Sequence, residues 1–151
     1  MKTKMRGFEV VKEYLDKEIH LPMRNTTHAA GYDFESAETL TIPAHGIVAV
    51  STGIKSYMQD NEVLQIYPRS SLAVKRHLML VNSVGIIDKD YYNNPSNEGH
   101  IQILLRNFGD EDTIIQKGER IAQGIFMTFL LCDNEKKNGP TRLGGFGSTG
   151  L

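Results

Sequence analysis

A lone cysteine, Cys132, excludes any internal disulfide and fits a reducing, cytoplasmic compartment. Its neighbours Phe129, Leu130 and Leu131 predict a buried, structural thiol. Charge of one sign is lacking too. Seventeen Lys and Arg face 18 Asp and Glu, a net of −1, which leaves no electrostatic footprint for a nucleic-acid backbone or an anionic membrane. The longest apolar stretch, 125–132, is far short of the ~18 residues of a membrane helix. Residues 1–17 mix charges and have no apolar core, so they do not read as a signal peptide. The histidines His20, His28, His45, His77 and His100 show no metal-ligand spacing with one another or with Cys132, so zinc is not expected.

What is present, 40% hydrophobic and 23% charged residues in 151, is ordinary for one soluble domain. Such a chain buries roughly 68–70% of its unfolded surface. The pattern is strand-like. Ile47 to Val50 is a β-branched run after Pro43 and Gly46, and Glu62 to Tyr67 alternates until Pro68. Leu78-Met79-Leu80-Val81 is continuous and apolar, as in a strand buried on both faces. Further strands are predicted at 100–105, 112–115 and 121–131, split by turn-rich Arg106 to Asp110 and by Lys117-Gly118-Glu119. A charged opening segment with Val10, Tyr14 and Leu15 reads as an edge strand. Short strands at this spacing predict an all-β sandwich or barrel.

One segment departs from that pattern. Ser70 to Arg76 follows Pro68-Arg69, and a serine N-cap with two helical turns is predicted there. A helix start suits an anion, and Arg69 adds a fork of phosphate donors. A plain capped helix with a surface arginine is the simpler reading of these residues alone. The C-terminus poses a similar choice. Gly144-Gly145-Phe146-Gly147-Ser148-Thr149-Gly150 has the backbone freedom to form an anion-holding nest, with two hydroxyl donors and a ring suited to stacking on a base. By composition it is equally a solvated tail, tethered by the polar run Asp133 to Gly139.

Order along the chain decides between these readings. Gly31-Tyr32-Asp33, then Pro68-Arg69-Ser70-Ser71-Leu72-Ala73, then Gly85-Ile86-Ile87-Asp88-Lys89-Asp90-Tyr91, then Arg120-Ile121-Ala122-Gln123, then Gly144 to Gly150 resemble the five ordered motifs of the homotrimeric dUTP diphosphatases, the dUTPase family. The motifs span Ala30 to Gly150. The resemblance implies an all-β jelly roll of the β-clip type with one short helix. Residues 1–139 form the single domain and 140–151 its flexible C-terminal lid. It implies a cytoplasmic homotrimer with shared sites that hydrolyses dUTP to dUMP and diphosphate. That reaction limits uracil incorporation into DNA and supplies dUMP for dTMP synthesis.

Roles follow residue by residue from the resemblance. Asp88 is the general base that orients and deprotonates the water attacking the α-phosphorus. Asn82 pairs with the uracil edge, Ile87 belongs to the same substrate-binding hairpin, and Tyr91 lies under the deoxyribose. Arg69, Ser70, Ser71 and Gln123 bind phosphate, and Asp33 organises the phosphate arginine and metal-bound waters. In the lid, Ser148 and Thr149 reach the outer phosphates, Phe146 covers the uracil, and Arg142 approaches the γ-phosphate. Mg²⁺ is the implied cofactor, held by triphosphate and water with no direct protein ligand.

The chain departs from the family pattern twice. Residues 92–98 enlarge the third-motif loop, as in a bacterial and phage subset; Tyr92 and His100 read either as a layer supporting the site or as plain surface, with surface favoured. Arg142 stands one residue closer to the glycine pair than usual. A dCTP deaminase on the same fold is the rival reading, but that relative lacks this glycine tail and the Asp-x-Asp-Tyr hairpin. Some phage members of the family bind host regulatory proteins, which leaves room for a further partner here. Binding to nucleic acid or to membrane is not expected.

Overall fold

Every strand pairing among the described residues is antiparallel, and turns, loops and one helix supply the other backbone hydrogen bonds. A computed structural model describes residues 2–136, 139 and 143–146. Its strands are β1 (Gly7–Val10), β2 (Tyr32–Glu35), β3 (Leu40–Ile42), β4 (Ile47–Ser51), β5 (Ile54–Tyr57) and β6 (Glu62–Tyr67). After the helix α1 (Ser70–Arg76) come β7 (Leu78–Leu80), β8 (Gly85–Ile87), β9 (Gln102–Asn107), β10 (Thr113–Ile115) and β11 (Arg120–Thr128). One sheet has the order β2-β11-β6-β8 and another β4-β9-β7; β1-β5 and β10-β3 are two-stranded ribbons. This is the all-β architecture that the strand spacing predicts, in the jelly-roll-like form that the family resemblance implies.

The core lies between the two larger sheets. Phe34, Leu64, Ile66 and Ile121 come from one, and Val50, Leu78, Ile103 and Leu105 from the other; all eight are buried in a single cluster. Truncating one of them to alanine is expected to cost about 2–5 kcal/mol. Buried Asn107 serves the core differently. Its side-chain amide donates to the carbonyls of Ile42 (3.1 Å) and Glu111 (2.7 Å), pinning the β9–β10 connection. Among the described residues no helix is long and apolar enough to cross a membrane.

Local expectations are revised in four places. The opening strand ends at Val10, and residues 12–14 form a 3-10 turn that holds Tyr14 outside it. Within the chain β7 is covered on one face only: Leu78 and Leu80 are buried while Met79 is exposed, as in an antiparallel sheet with one face on the core. Cys132 is exposed, not buried. Pairing of β11 with β6 ends at Thr128, so Leu130, Leu131 and Cys132 leave the sheet behind. The serine cap is absent as well. Arg69 is the N-cap, with extended backbone and no side-chain cap bond, and Ser70 is already helical. Arg69 instead sends its side chain across to Asp33 on β2.

Candidate active site

Two groups of predicted residues assemble in different places. The first surrounds β8, which hangs on the edge of the larger sheet by pairing Leu64 with Ile87 and Ile66 with Gly85. A tight turn precedes it: the Ser83 N–H donates to Leu80 O (3.2 Å) and the Val84 N–H to Asn82 O (2.6 Å). Asp88 follows in extended conformation and starts a 3-10 turn over Lys89–Tyr91. These short-range constraints place Asn82, Ile87, Asp88 and Tyr91 around one cavity of about 130 Å³. Its remaining walls are largely apolar, from Ile66, Leu80 and Ile103. Lys89 is turned away and pairs with Asp60.

Tyr91 is 7% exposed. Its hydroxyl donates to His100 O (2.8 Å) and accepts from Asn97 Nδ2 (2.8 Å). The described part of the tail closes on this ring. A Cβ added to Gly145 would lie 3.1 Å from Tyr91 Cε2, and Phe146 stands at the cavity with 70% of its surface exposed.

The second group lies on the sheet where β2, β11 and β6 run side by side. Register puts Gln123 opposite both Asp33 and Tyr67. Asp33 gathers cations: Arg69 Nε lies 3.2 Å from its Oδ1 and Arg120 Nη1 3.6 Å from its Oδ2, to which Asn25 Nδ2 also donates. Gln123 Nε2 donates to Pro68 O (3.1 Å), tying β11 to the start of the phosphate motif. Gly31 lets the Gln123 side chain lie close, since a Cβ there would meet Gln123 Oε1 at 2.3 Å and displace it. Arg69, Ser71 and Arg120 line a shallow, polar pocket beside α1, and Ser70 is exposed at its first turn. Among the described residues this pocket shares no lining residue with the Asp88 cavity. One chain therefore unites Asn82, Ile87, Asp88, Tyr91 and Phe146, and separately Asp33, Arg69, Ser70, Ser71 and Gln123. Arg142, Ser148 and Thr149, with Gly147 and Gly150, lie outside the described residues.

The reading of Tyr92 and His100 as plain surface is overturned. His100 is half-buried, its Nε2 accepts the Gly53 N–H (2.9 Å), and its ring lies 4.9 Å from that of Tyr14. Burial holds its pKa below the ordinary 6.5, against the pull of Glu13 and Glu98. Tyr92 is half-buried with its hydroxyl on Glu9; burial first, then that carboxylate, push its pKa up to about 12. Asn94 and Asn97 are close to predicted site residues yet carry no predicted role, and Arg120, predicted only as part of the fourth motif, pairs with Asp33. The clue available was the density of side-chain amides in 93–97.

Comparison with known proteins converges on one family. The dUTPase family model matches residues 17–150. A Lactococcus lactis protein named deoxyuridine 5'-triphosphate nucleotidohydrolase is 55% identical over 148 residues, covering 97% of this chain and 99% of its own. The protein of the same name from Wolinella succinogenes is 40% identical over 134 residues, 86% of each chain. Among solved structures, dUTPase from Streptococcus mutans has a TM-score of 0.82 at 52% identity, covering 85% of this chain and 99% of that one. The motifs, the strand order and the relatives agree over most of its length: the chain belongs to the dUTPase family.

Proposed function

We propose that the protein hydrolyses dUTP to dUMP and diphosphate, with Asp88 as general base. Uracil enters the cavity beside β8, where the Asn82 side chain offers both a donor and an acceptor to its edge. The narrow, apolar-walled cavity leaves little room for a thymine methyl, and a clash discriminates more strongly than a missing methylene. The deoxyribose rests on the ring of Tyr91, whose position disfavours a 2′-hydroxyl. Asp88, beside this floor, takes a proton from water as it attacks the α-phosphorus in line, and diphosphate leaves. Positioning and charge stabilisation carry most of such a reaction.

The polyphosphate is the part of the substrate that the Asp88 cavity does not accommodate. Arg69, Ser70, Ser71 and Gln123 form its binding surface, with Asp33 holding Arg69 in place. Because these groups and the Asp88 cavity are separate within one chain, the complete site is assembled between subunits of a homotrimer. Residues 140–151 are the lid over it: Phe146 covers the base, and Ser148, Thr149 and Arg142 approach the outer phosphates. Mg²⁺, carried by the triphosphate, would offset its charge. That fits the donor set, for Asp33 is already shared between two arginines. A cytoplasmic setting follows from the substrate.

The observation that carries this reading is the convergence of Asn82, Asp88 and Tyr91 on one cavity. The test is diphosphate release from dUTP, dTTP, UTP and dCTP at equal concentration. Release from dUTP alone is expected. Ammonia from dCTP, or equal turnover of all four, would contradict it.

A further inference from the structure

The enlarged loop after Tyr91 is fastened at every turn. Its Glu98 pairs with Lys55 Nζ (2.7 Å) and accepts the Lys12 N–H (3.1 Å). Asn93 also accepts from Lys55 (2.7 Å), and Tyr92 reaches Glu9. Asn93 and Glu98 take positive φ, as does Gly99, where a Cβ would lie 2.7 Å from Tyr91 O. Such backbone is uncommon outside glycine and persists only where surroundings hold it.

Within this frame two side-chain amides have their orientations fixed by their partners. Asn94 Oδ1 faces the N–H groups of Ser96 (3.0 Å) and Asn97 (3.1 Å), so it must be the oxygen. Its Nδ2 then donates to Tyr91 O (2.7 Å) and to Asn97 Oδ1 (2.7 Å). Asn97 Oδ1 also receives the Gly99 N–H (3.0 Å), which leaves Asn97 Nδ2 to donate to the Tyr91 hydroxyl. That hydroxyl, already accepting, must spend its one proton on His100 O. The chain of donors runs one way, and Tyr91 is held at its carbonyl and at its phenol.

We propose that Asn94 and Asn97 are positioning residues that lock the Tyr91 ring as the sugar floor and so sharpen discrimination between deoxyribose and ribose. This rests on the role given to Tyr91 above. A floor excludes a 2′-hydroxyl only if it cannot tip away. Asn97 sets the height of the phenol end, and Asn94 fixes the backbone from which the ring projects. The loop is thus a clamp on a specificity residue.

The test is a double-mutant cycle read as the ratio of kcat/KM for dUTP to that for UTP. Asn97→Ala is expected to lower the ratio about tenfold while changing kcat for dUTP less than about threefold. Tyr91→Phe keeps the ring, loses the bond from Asn97 at its other end together with the bond to His100 O, and leaves the bonds among Asn94, Asn97 and Gly99 intact. It is expected to lower the ratio by a similar factor with little change in Tm. Adding Asn97→Ala to Tyr91→Phe should then lower the ratio no further. Additive losses, or equal losses on both substrates with the ratio unchanged, would overturn the clamp. So would an unchanged ratio in Tyr91→Phe, which stands even if Asn97→Ala fails to fold. Tyr91→Ala separates this from the underlying reading: an unchanged ratio there removes the sugar-floor role itself.

Discussion

The Asp88 cavity is walled largely by apolar side chains and shaped by hydrogen bonds between neighbours in sequence, from Leu80 to Ile103. The Asp33 cluster is polar, partly open and built from strands far apart in the chain. On the proposed reading the first selects by shape, through a small cavity and a clamped ring. The second is suited to holding charge, with arginines kept in readiness by one carboxylate. On the function proposed above, neither would make a site for a nucleoside triphosphate alone, and their separation within a chain would make trimer assembly a condition for catalysis.

Substitutions in the two regions are therefore expected to fail in different ways. The largest loss belongs to the cavity. Asp88→Asn keeps the shape and removes the proton acceptor, so kcat should fall by about 10²–10⁴ with KM for dUTP little changed. Stopped assays of diphosphate release check it, and wild-type turnover would remove Asp88 from the mechanism. In the charged cluster, Arg69→Ala should lower kcat/KM by about 10² and affect dUTP and UTP alike, because phosphate carries no information about the sugar. A change in the sugar ratio would break the division of labour. Smaller again, Phe146→Ala should lower kcat/KM about tenfold by loss of stacking on the base. Its Tm without ligand should stay as it was, since most of the ring is exposed.

Much of the cavity was legible in the sequence because it is local. Gly85 to Tyr91 is one contiguous motif, and Asn82 stands three residues before it. The phosphate motif was legible as residues but not as geometry. That Arg69 would pair with Asp33, and that Gln123 would stand opposite Asp33 and Tyr67, depends on the register of β2, β11 and β6. The clamp escaped for another reason. An asparagine-rich stretch reads as solvated turn until positive φ at Asn93 and Glu98 folds its amides inward. His100 escaped because what covers it, Tyr14, comes from the opposite end of the sequence. Cys132 misled because an apolar run does not reveal where a strand stops pairing.

The smallest expected effect concerns pH. Folding lowers the pKa of His100 below 6.5, since burial disfavours the charged ring and its Nε2 is taken by the Gly53 N–H. Between that lower value and 6.5 the unfolded chain binds a proton that the folded one does not. This part of the stability is fully present above about pH 6.5 and is lost as pH falls through the window. Tm should drop by a few degrees between about pH 7 and about pH 5.5, and His100→Gln should flatten that slope. The carboxylates Glu9 and Glu98 have lowered pKa values, so they titrate below this window.

The central claim is that one working site takes its base cavity and its phosphate surface from different chains. It is tested by mixing two inactive variants, Asp88→Asn and Arg69→Ala, allowing subunit exchange and measuring diphosphate release from dUTP. A mixed site can combine the intact Asp88 of one chain with the intact Arg69 of another. Activity should rise well above that of either variant, toward about a quarter of wild type for equal mixing of two-chain sites. A mixture no more active than the variants apart, with exchange shown to be complete, would place both residues of each working site in the same chain and contradict it.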